Sequence, residues 1–324
     1  MNCAIIGAGQ LGSRHLQGLL NFNHDKLNIY IIDPSKEALQ IAHLRAQELS
    51  HQHQIHYCKA ILDLPSVLEF VVIATNSKVR LAVLKSLVAV AKVKYLILEK
   101  VLFPSVGEHE EALEIVENNG IKCWVNHPRR MFNDYQVLKK YFSKEKTYSF
   151  QLLGTSWGLA CNALHFIDLF EFLTDSALSS LSTQFINTTT IESKRNGYIE
   201  FEGTIQGSLD NKHLFSISSL SGPALISPTL SVMTDDLRIL IQESGQAKIY
   251  LLAQQTNFAL EELPFSIQFQ SQLTGVLFEQ ISQTGNCDLP TLNHSARAHK
   301  MFISSFLQHW NNAKHQEETH LPIT

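Results

Sequence analysis

The stretch CAIIGAGQLGSRH, residues 3–15, constrains this 324-residue chain more than any other. An apolar run of strand length ends in Gly7, Gly9 and Gly12, spaced G-x-G-x-x-G. A segment with Leu16, Leu19 and Leu20 on one helical face follows. In that setting Gly7 permits a tight turn, Gly9 lets the backbone approach a pyrophosphate, and Gly12 lets the helix pack against the strand. The first helical residues, Gln10 and Leu11, offer unpaired N–H groups and the positive end of the helix dipole to the phosphates. Asp33 closes a second strand, NIYIID, about twenty residues on, where a ribose-binding acid belongs. A carboxylate there accepts from a 2′-hydroxyl and repels a 2′-phosphate, so the expected cofactor is NAD, with NADP disfavoured.

Strand and helix patterns alternate through residue 125. IHYC, EFVVIATN, KYLILEK and IKCWVN are the later strands, and Ser35 stands where it can cap the helix that follows NIYIID. Strands apolar throughout, alternating with one-sided helices, predict a doubly wound parallel α/β domain over residues 1–125. From residue 126 the pattern changes. NALHFIDLFEFL reads as a helix, and YSFQLLG, LSTQFINTTT, GYIEFEGTIQGSL, KHLFSISSL, LRILIQE and AKIYLLA read as strands with polar interruptions. Residues 126–324 are therefore expected to form an α+β domain with a large, mostly antiparallel sheet. LNHSARAHKMFISSFLQHW is a further helix, and the tail HQEETHLPIT is expected to be partly disordered.

Ligands in such parallel sheets lie beyond the carboxyl ends of the strands. Thr75, Asn76 and Glu99 are thereby candidate cofactor contacts, and Lys100 is expected to face the reacting carbon. His165, on a helix preceded by the small-residue loop GTSWGLACN, is the second candidate for catalysis, with Asp168 three residues on and so on the same face. Asn162 can orient a substrate hydroxyl, and the guanidinium of Arg130 suits a substrate anion.

A formal charge of −4 leaves no basic footprint for nucleic acid. Lysines 85, 92 and 94 interrupt the most apolar stretch, so no membrane span is expected. Five cysteines without a CxxC pair suggest reduced thiols and a cytoplasmic setting. The histidines of HQHQIH and of the last helix lack metal-ligand spacing, and no metal is expected.

IIGAGQLGSRH, VVIATNSKVR, LILEKVLFPS, VNHPRRMF and NALHFIDLFEFL resemble, in that order, the glucose–fructose oxidoreductase/inositol dehydrogenase (Gfo/Idh/MocA) family. The likeness covers most of residues 1–175. It implies a Rossmann domain followed by an α/β domain with an open sheet, hydride exchange between NAD(P) and a sugar-like carbon, and a homodimer or homotetramer formed through that sheet. Glu99–Lys100–Val101 looks like the family's Glu-Lys-Pro motif, and His165 looks like its catalytic-helix histidine. In the expected chemistry His165 takes or returns the hydroxyl proton and Lys100 hydrogen-bonds the same oxygen, with either residue able to serve as the acid/base. Val101 departs from the usual proline, Arg80 stands where many members have histidine, and Cys161 stands where an aspartate often precedes the histidine. The alternative is a dinucleotide-binding sensor of the same fold without turnover.

Overall fold

The computed structural model describes residues 1–23 and 25–324. They form two compact units, residues 1–128 with 268–296, and residues 129–267 with 297–324.

Unit 1 begins with β1 (Asn2–Ile6), α1 (Gln10–Leu20), β2 (Asn28–Ile32), α2 (Lys36–Gln47) and β3 (Gln54–Cys58). It continues through β4 (Val67–Ile73), α3 (Ser77–Val90), β5 (Lys92–Leu98), α4 (Val106–Asn118) and β6 (Lys122–Val125). The six strands are all parallel, in the order β3-β2-β1-β4-β5-β6. Residues 3–6, 70–73 and 96–98 are buried, as strands covered on both faces must be. The strand order reverses between β1 and β4, which opens a crevice beyond their carboxyl ends. Ser35 caps α2, its Oγ accepting from Ala38 N at 3.2 Å.

Unit 2 opens with α5 (Asn133–Leu138), β7 (Ser149–Thr155) and α6 (Leu159–Thr174). There follow β8 (Leu178–Ile186), the small pair β9 (Ile191–Glu192) and β10 (Ile199–Glu200), β11 (Gly203–Leu209), β12 (His213–Leu220), β13 (Ile226–Met233), β14 (Leu237–Gln242), β15 (Lys248–Ala253) and β16 (Leu260–Pro264). Eight of them form one sheet in the order β16-β15-β14-β13-β7-β12-β11-β8, antiparallel except where β7 pairs with β12. Along β14 buried and exposed residues alternate, so one face is packed and the other open. The run GYIEFEGTIQGSL breaks at Gly203, whose φ of +115° ends the short strand and starts the long one. β13 escapes a reading by pattern because it contains Pro228. That residue sits where the β13–β7 register shifts between Ile226 and Thr229, a place where a missing N–H costs no ladder bond.

Beyond Ile267 the chain returns to unit 1 as α7 (Gln270–Thr284), and α8 (Leu292–Lys314) follows. The second unit is therefore not the continuous residues 126–324 that the sequence suggests. α7 belongs with unit 1 because it meets α1 glycine against glycine: a Cβ at Gly18 would lie 2.7 Å from Gln270 O, and one at Gly275 would lie 2.5 Å from Gly18 O. Phe278 fills the space beside them, edge-on to Phe22 and Phe70. The tail also departs from expectation. Leu321 and Ile323 are fully buried and Pro322 O accepts from Ile199 N at 2.8 Å, so residues 321–324 are packed into unit 2. Among the described residues no helix is long and apolar enough to cross a membrane.

Candidate functional site

The glycine loop of unit 1 is built as its spacing requires. Gly7 takes φ +99° and donates to Ile32 O at 2.8 Å, tying the loop to the end of β2. A Cβ at Gly12 would fall 1.7 Å from Gly7 O, so only glycine lets α1 start this close to the loop. At Gly9 a Cβ would meet nothing within 4 Å. The open space lies where a pyrophosphate needs bare backbone, at the N-cap of α1.

Asp33 braces this loop as well as facing the crevice. Its Oδ2 accepts from Ala8 N at 2.8 Å and its Oδ1 from Ser35 N at 2.9 Å, which fixes the carboxylate plane. Gly7, Gly9, Asp33, Thr75 and Asn76 line a cleft of about 920 Å³, with Val79 and Leu62 among its apolar walls. Thr75 Oγ1 is buried with no hydrogen-bond partner among the described residues. A bare-backbone helix start, a fixed acid and an unsatisfied hydroxyl in one cleft fit a dinucleotide. Of the other expected contacts, Leu11 sits in the first turn of α1, and Gln10 has its side-chain oxygen held by Arg45 Nη2 at 2.6 Å. Gln10 and Leu11 carry the first backbone N–H groups of α1.

The end of β5 is clamped on both sides of Lys100. Glu99 is 3 % exposed and accepts from His15 Nε2 at 2.8 Å and from Asn126 Nδ2 at 2.5 Å. Hydrogen bonds from His15 and Asn126 hold its carboxyl below its ordinary range, against the opposing effect of burial, which is the largest single influence. After Lys100 the peptide to Val101 is cis. Arg80, 1 % exposed, donates to Val101 O, to Leu102 O at 2.7 Å and to Thr75 O. Arg80 thus staples the turn after β4 to the segment after β5. Lys100 itself is half-buried between two buried neighbours. His15 and Asn126 were not legible as site residues, because their partner Glu99 is 84 and 27 positions away in the chain.

In unit 2, α6 is buried all round except for a stripe of Cys161, Asn162 and His165. His165 therefore occupies the accessible side of an otherwise apolar helix. Glu200 caps that helix, accepting from Ala160 N at 2.9 Å and Cys161 N at 3.0 Å. The Asn162 amide group donates locally, to Trp157 O at 2.9 Å and Gly158 O at 3.1 Å. The Cys161 thiol donates to Thr324 O at 2.7 Å.

Arg130, the expected contact of a substrate anion, forks onto a carboxylate of its own unit. Its Nε and Nη2 donate to the two oxygens of Asp168, each at 2.8 Å. Arg129 makes a matching fork with Glu243, joined by Tyr135 OH at 2.5 Å, and lies 4.2 Å over the ring of Phe166. Among the described residues no group of three or more His, Cys, Asp or Glu could hold a metal ion.

The Glu243 cluster carries a pH dependence. The Arg129 guanidinium holds the Glu243 carboxyl below its ordinary range despite burial, the largest and opposing influence. A depressed folded-state value contributes stability that is present above the unfolded value and lost as pH falls through the folded one. Acid titration of unfolding free energy should therefore show a loss below the normal carboxylate range. The slope should shrink in Glu243→Gln, a variant that also costs about 3 kcal/mol by leaving Arg129 unmatched.

A helix-start phosphate cradle with an acid at the end of β2 defines unit 1 as a dinucleotide-binding Rossmann fold. Residues 1–127 match the GFO_IDH_MocA family model, described as "Oxidoreductase family, NAD-binding Rossmann fold". A comparison with curated protein sequences finds no match. Solved structures share the fold over nearly the whole chain. An Agrobacterium radiobacter oxidoreductase in complex with NAD⁺, L-tartaric acid and magnesium is 14% identical, with 96% of each chain covered and a TM-score of 0.71. A UDP-N-acetylglucosamine 3-dehydrogenase from Acidithiobacillus ferrooxidans is 14% identical, with 95% of this chain and 96% of that one covered and a TM-score of 0.64. The transcriptional regulator Gal80p from Kluyveromyces lactis is also 14% identical, with 96% of this chain and 92% of that one covered and a TM-score of 0.68.

Proposed function

We propose that the protein is an NAD-dependent oxidoreductase acting on a hydroxyl or carbonyl carbon of a sugar-like molecule, with nucleotide-activated sugars first among the candidates. The observation that carries this reading is the dinucleotide cleft: bare backbone at Gly9, Asp33 fixed at its rim and Thr75 Oγ1 unsatisfied within it. Bound NAD supplies a hydride acceptor or donor at its nicotinamide ring. Lys100, held between two clamped neighbours, donates a charge-assisted hydrogen bond to the reacting oxygen and stabilises negative charge as it develops. His165, on the accessible stripe of α6, exchanges the hydroxyl proton, a task to which an imidazole is chemically suited. The UDP-N-acetylglucosamine dehydrogenase of the same fold supports nucleotide sugars as the first substrates to try. Purified protein should bind NAD⁺ and reduce it in the presence of at least one member of a sugar and nucleotide-sugar panel. Tight NAD⁺ binding without turnover on any of them rules against the enzyme.

Asp33 makes NAD the preferred cofactor. With both oxygens already fixed by backbone N–H groups, its charge stays at the ribose end of the cleft and opposes a 2′-phosphate. In Asp33→Asn the NAD⁺ affinity should fall about tenfold and NADP⁺ affinity should rise, read by calorimetric titration. A wild-type preference for NADP⁺ contradicts this assignment.

The second reading, a dinucleotide-responsive regulator, is favoured by the local engagement of Asn162 and by Cys161 where an acid partner for His165 would stand. Gal80p has the same fold. Under either reading a second copy pairs on the open face of the eight-stranded sheet, where Leu153, Phe185, Leu214 and Leu240 are exposed. Sedimentation should give a dimer or tetramer, and Leu153→Glu with Leu214→Glu should yield monomer. The five free thiols fit a reducing, cytoplasmic setting.

A further inference from the structure

A closed ring of hydrogen bonds surrounds Glu99 inside unit 1. His15 Nε2 meets Glu99 Oε1 at 2.8 Å, and Asn126 Nδ2 donates to the same oxygen at 2.5 Å. Asn126 Nδ2 also donates to Gln270 Oε1 at 2.8 Å, Gln270 Nε2 donates to Thr274 Oγ1 at 3.0 Å, and Thr274 Oγ1 returns to His15 Nδ1 at 2.9 Å. Thr274 gives its own proton to Gln270 O at 3.1 Å. Both ring nitrogens of His15 therefore have a partner within the ring of contacts. Four elements meet in this ring: α1 through His15, the end of β5 through Glu99, the end of β6 through Asn126, and α7 through Gln270 and Thr274.

Such a ring is a costly way to join two helices that already pack glycine to glycine. Apolar side chains of similar volume would stabilise that contact as well or better, whereas a polar ring fixes one geometry. The geometry it fixes is that of Glu99, the residue before Lys100, while Arg80 fixes the carbonyls of Val101 and Leu102 after it. Lys100, half-buried, lies between these two fixed points.

We propose that His15 is a positioning residue for Lys100, acting through Glu99. The inference rests on the role given to Lys100 under the proposed function. It adds that α1, the helix whose first turn receives the phosphates, also aims the lysine. His15 touches neither substrate nor cofactor in this role.

The test compares wild type with His15→Leu, which opens the ring, and His15→Gln, which keeps a donor toward Glu99. Each is labelled with acetic anhydride, and modification of Lys100 is measured by mass spectrometry relative to exposed Lys85. In His15→Leu the Lys100-to-Lys85 ratio should change by about threefold or more, because amine reactivity follows the surrounding charge, and His15→Gln should recover most of it. Where a substrate has been found, kcat should fall about tenfold in His15→Leu, with KM and the NAD⁺ dissociation constant nearly unchanged. An unchanged labelling ratio in folded His15→Leu overturns the proposal, as does a drop in thermal stability with ratio and kcat unaltered. If His15→Leu fails to fold, Glu99→Gln, which keeps volume and hydrogen bonds but not charge, takes its place under the same criteria. Absence of turnover on every substrate counts against the enzyme reading alone, since the labelling ratio still decides the role of His15.

Discussion

Gly12→Ala should lose dinucleotide binding by at least about 100-fold and destabilise the protein by about 2–4 kcal/mol. The added Cβ falls 1.7 Å from Gly7 O and 2.8 Å from Gly7 C, both backbone atoms of the loop that holds the phosphates. Neither can yield without moving the Gly7 N to Ile32 O bond that anchors the loop. Gly9→Ala separates the two effects. Nothing lies within 4 Å of its Cβ position, so thermal unfolding should shift little, yet the methyl occupies the cradle and NAD⁺ affinity should fall. Calorimetric titration and thermal denaturation of the two variants distinguish a packing glycine from a binding glycine. Wild-type NAD⁺ affinity in Gly9→Ala would show that phosphates do not approach there.

Lys100→Met should lower turnover by about 10³-fold while leaving NAD⁺ affinity within about threefold of wild type. Methionine keeps the length and the apolar stem but has no donor, so the loss isolates the charge-assisted hydrogen bond. The clamps on Glu99, Val101 and Leu102 do not involve the lysine side chain, and the fold should survive. His165→Ala should lose about 10²–10⁴-fold and remove one limb of the pH–rate profile, as expected for the group that exchanges the proton. Steady-state kinetics on the substrate found in the panel measure both. Retention of full turnover in Lys100→Met would transfer the electrophilic role to another residue.

Legibility followed the distance over which each feature acts. The strand, glycine loop and helix of residues 2–20 lie within a few residues of one another, and each choice there is dictated by backbone conformation or close approach. Asp33 was readable because it ends the next strand. His165 was readable as a candidate, and the structure adds that its helix is buried everywhere except the stripe it shares with Cys161 and Asn162. Arg130 was open to two readings because a guanidinium looks the same in a sequence whether it faces an anion or a buried carboxylate, and here it forks onto Asp168.

The sequence alone therefore determined the parallel sheet, the dinucleotide cradle and the placing of Lys100 at a strand end, since hydrophobic period, glycine spacing and strand termini are local properties. Tertiary structure alone decided that α7 joins the first unit, that residues 321–324 are packed, and that Glu99 sits in a ring with His15, Asn126, Gln270 and Thr274. Those features join residues up to 259 positions apart, and no local preference encodes such pairings. The ring in particular forms only where α1 and α7, with facing glycines, come close enough to bury what lies between them.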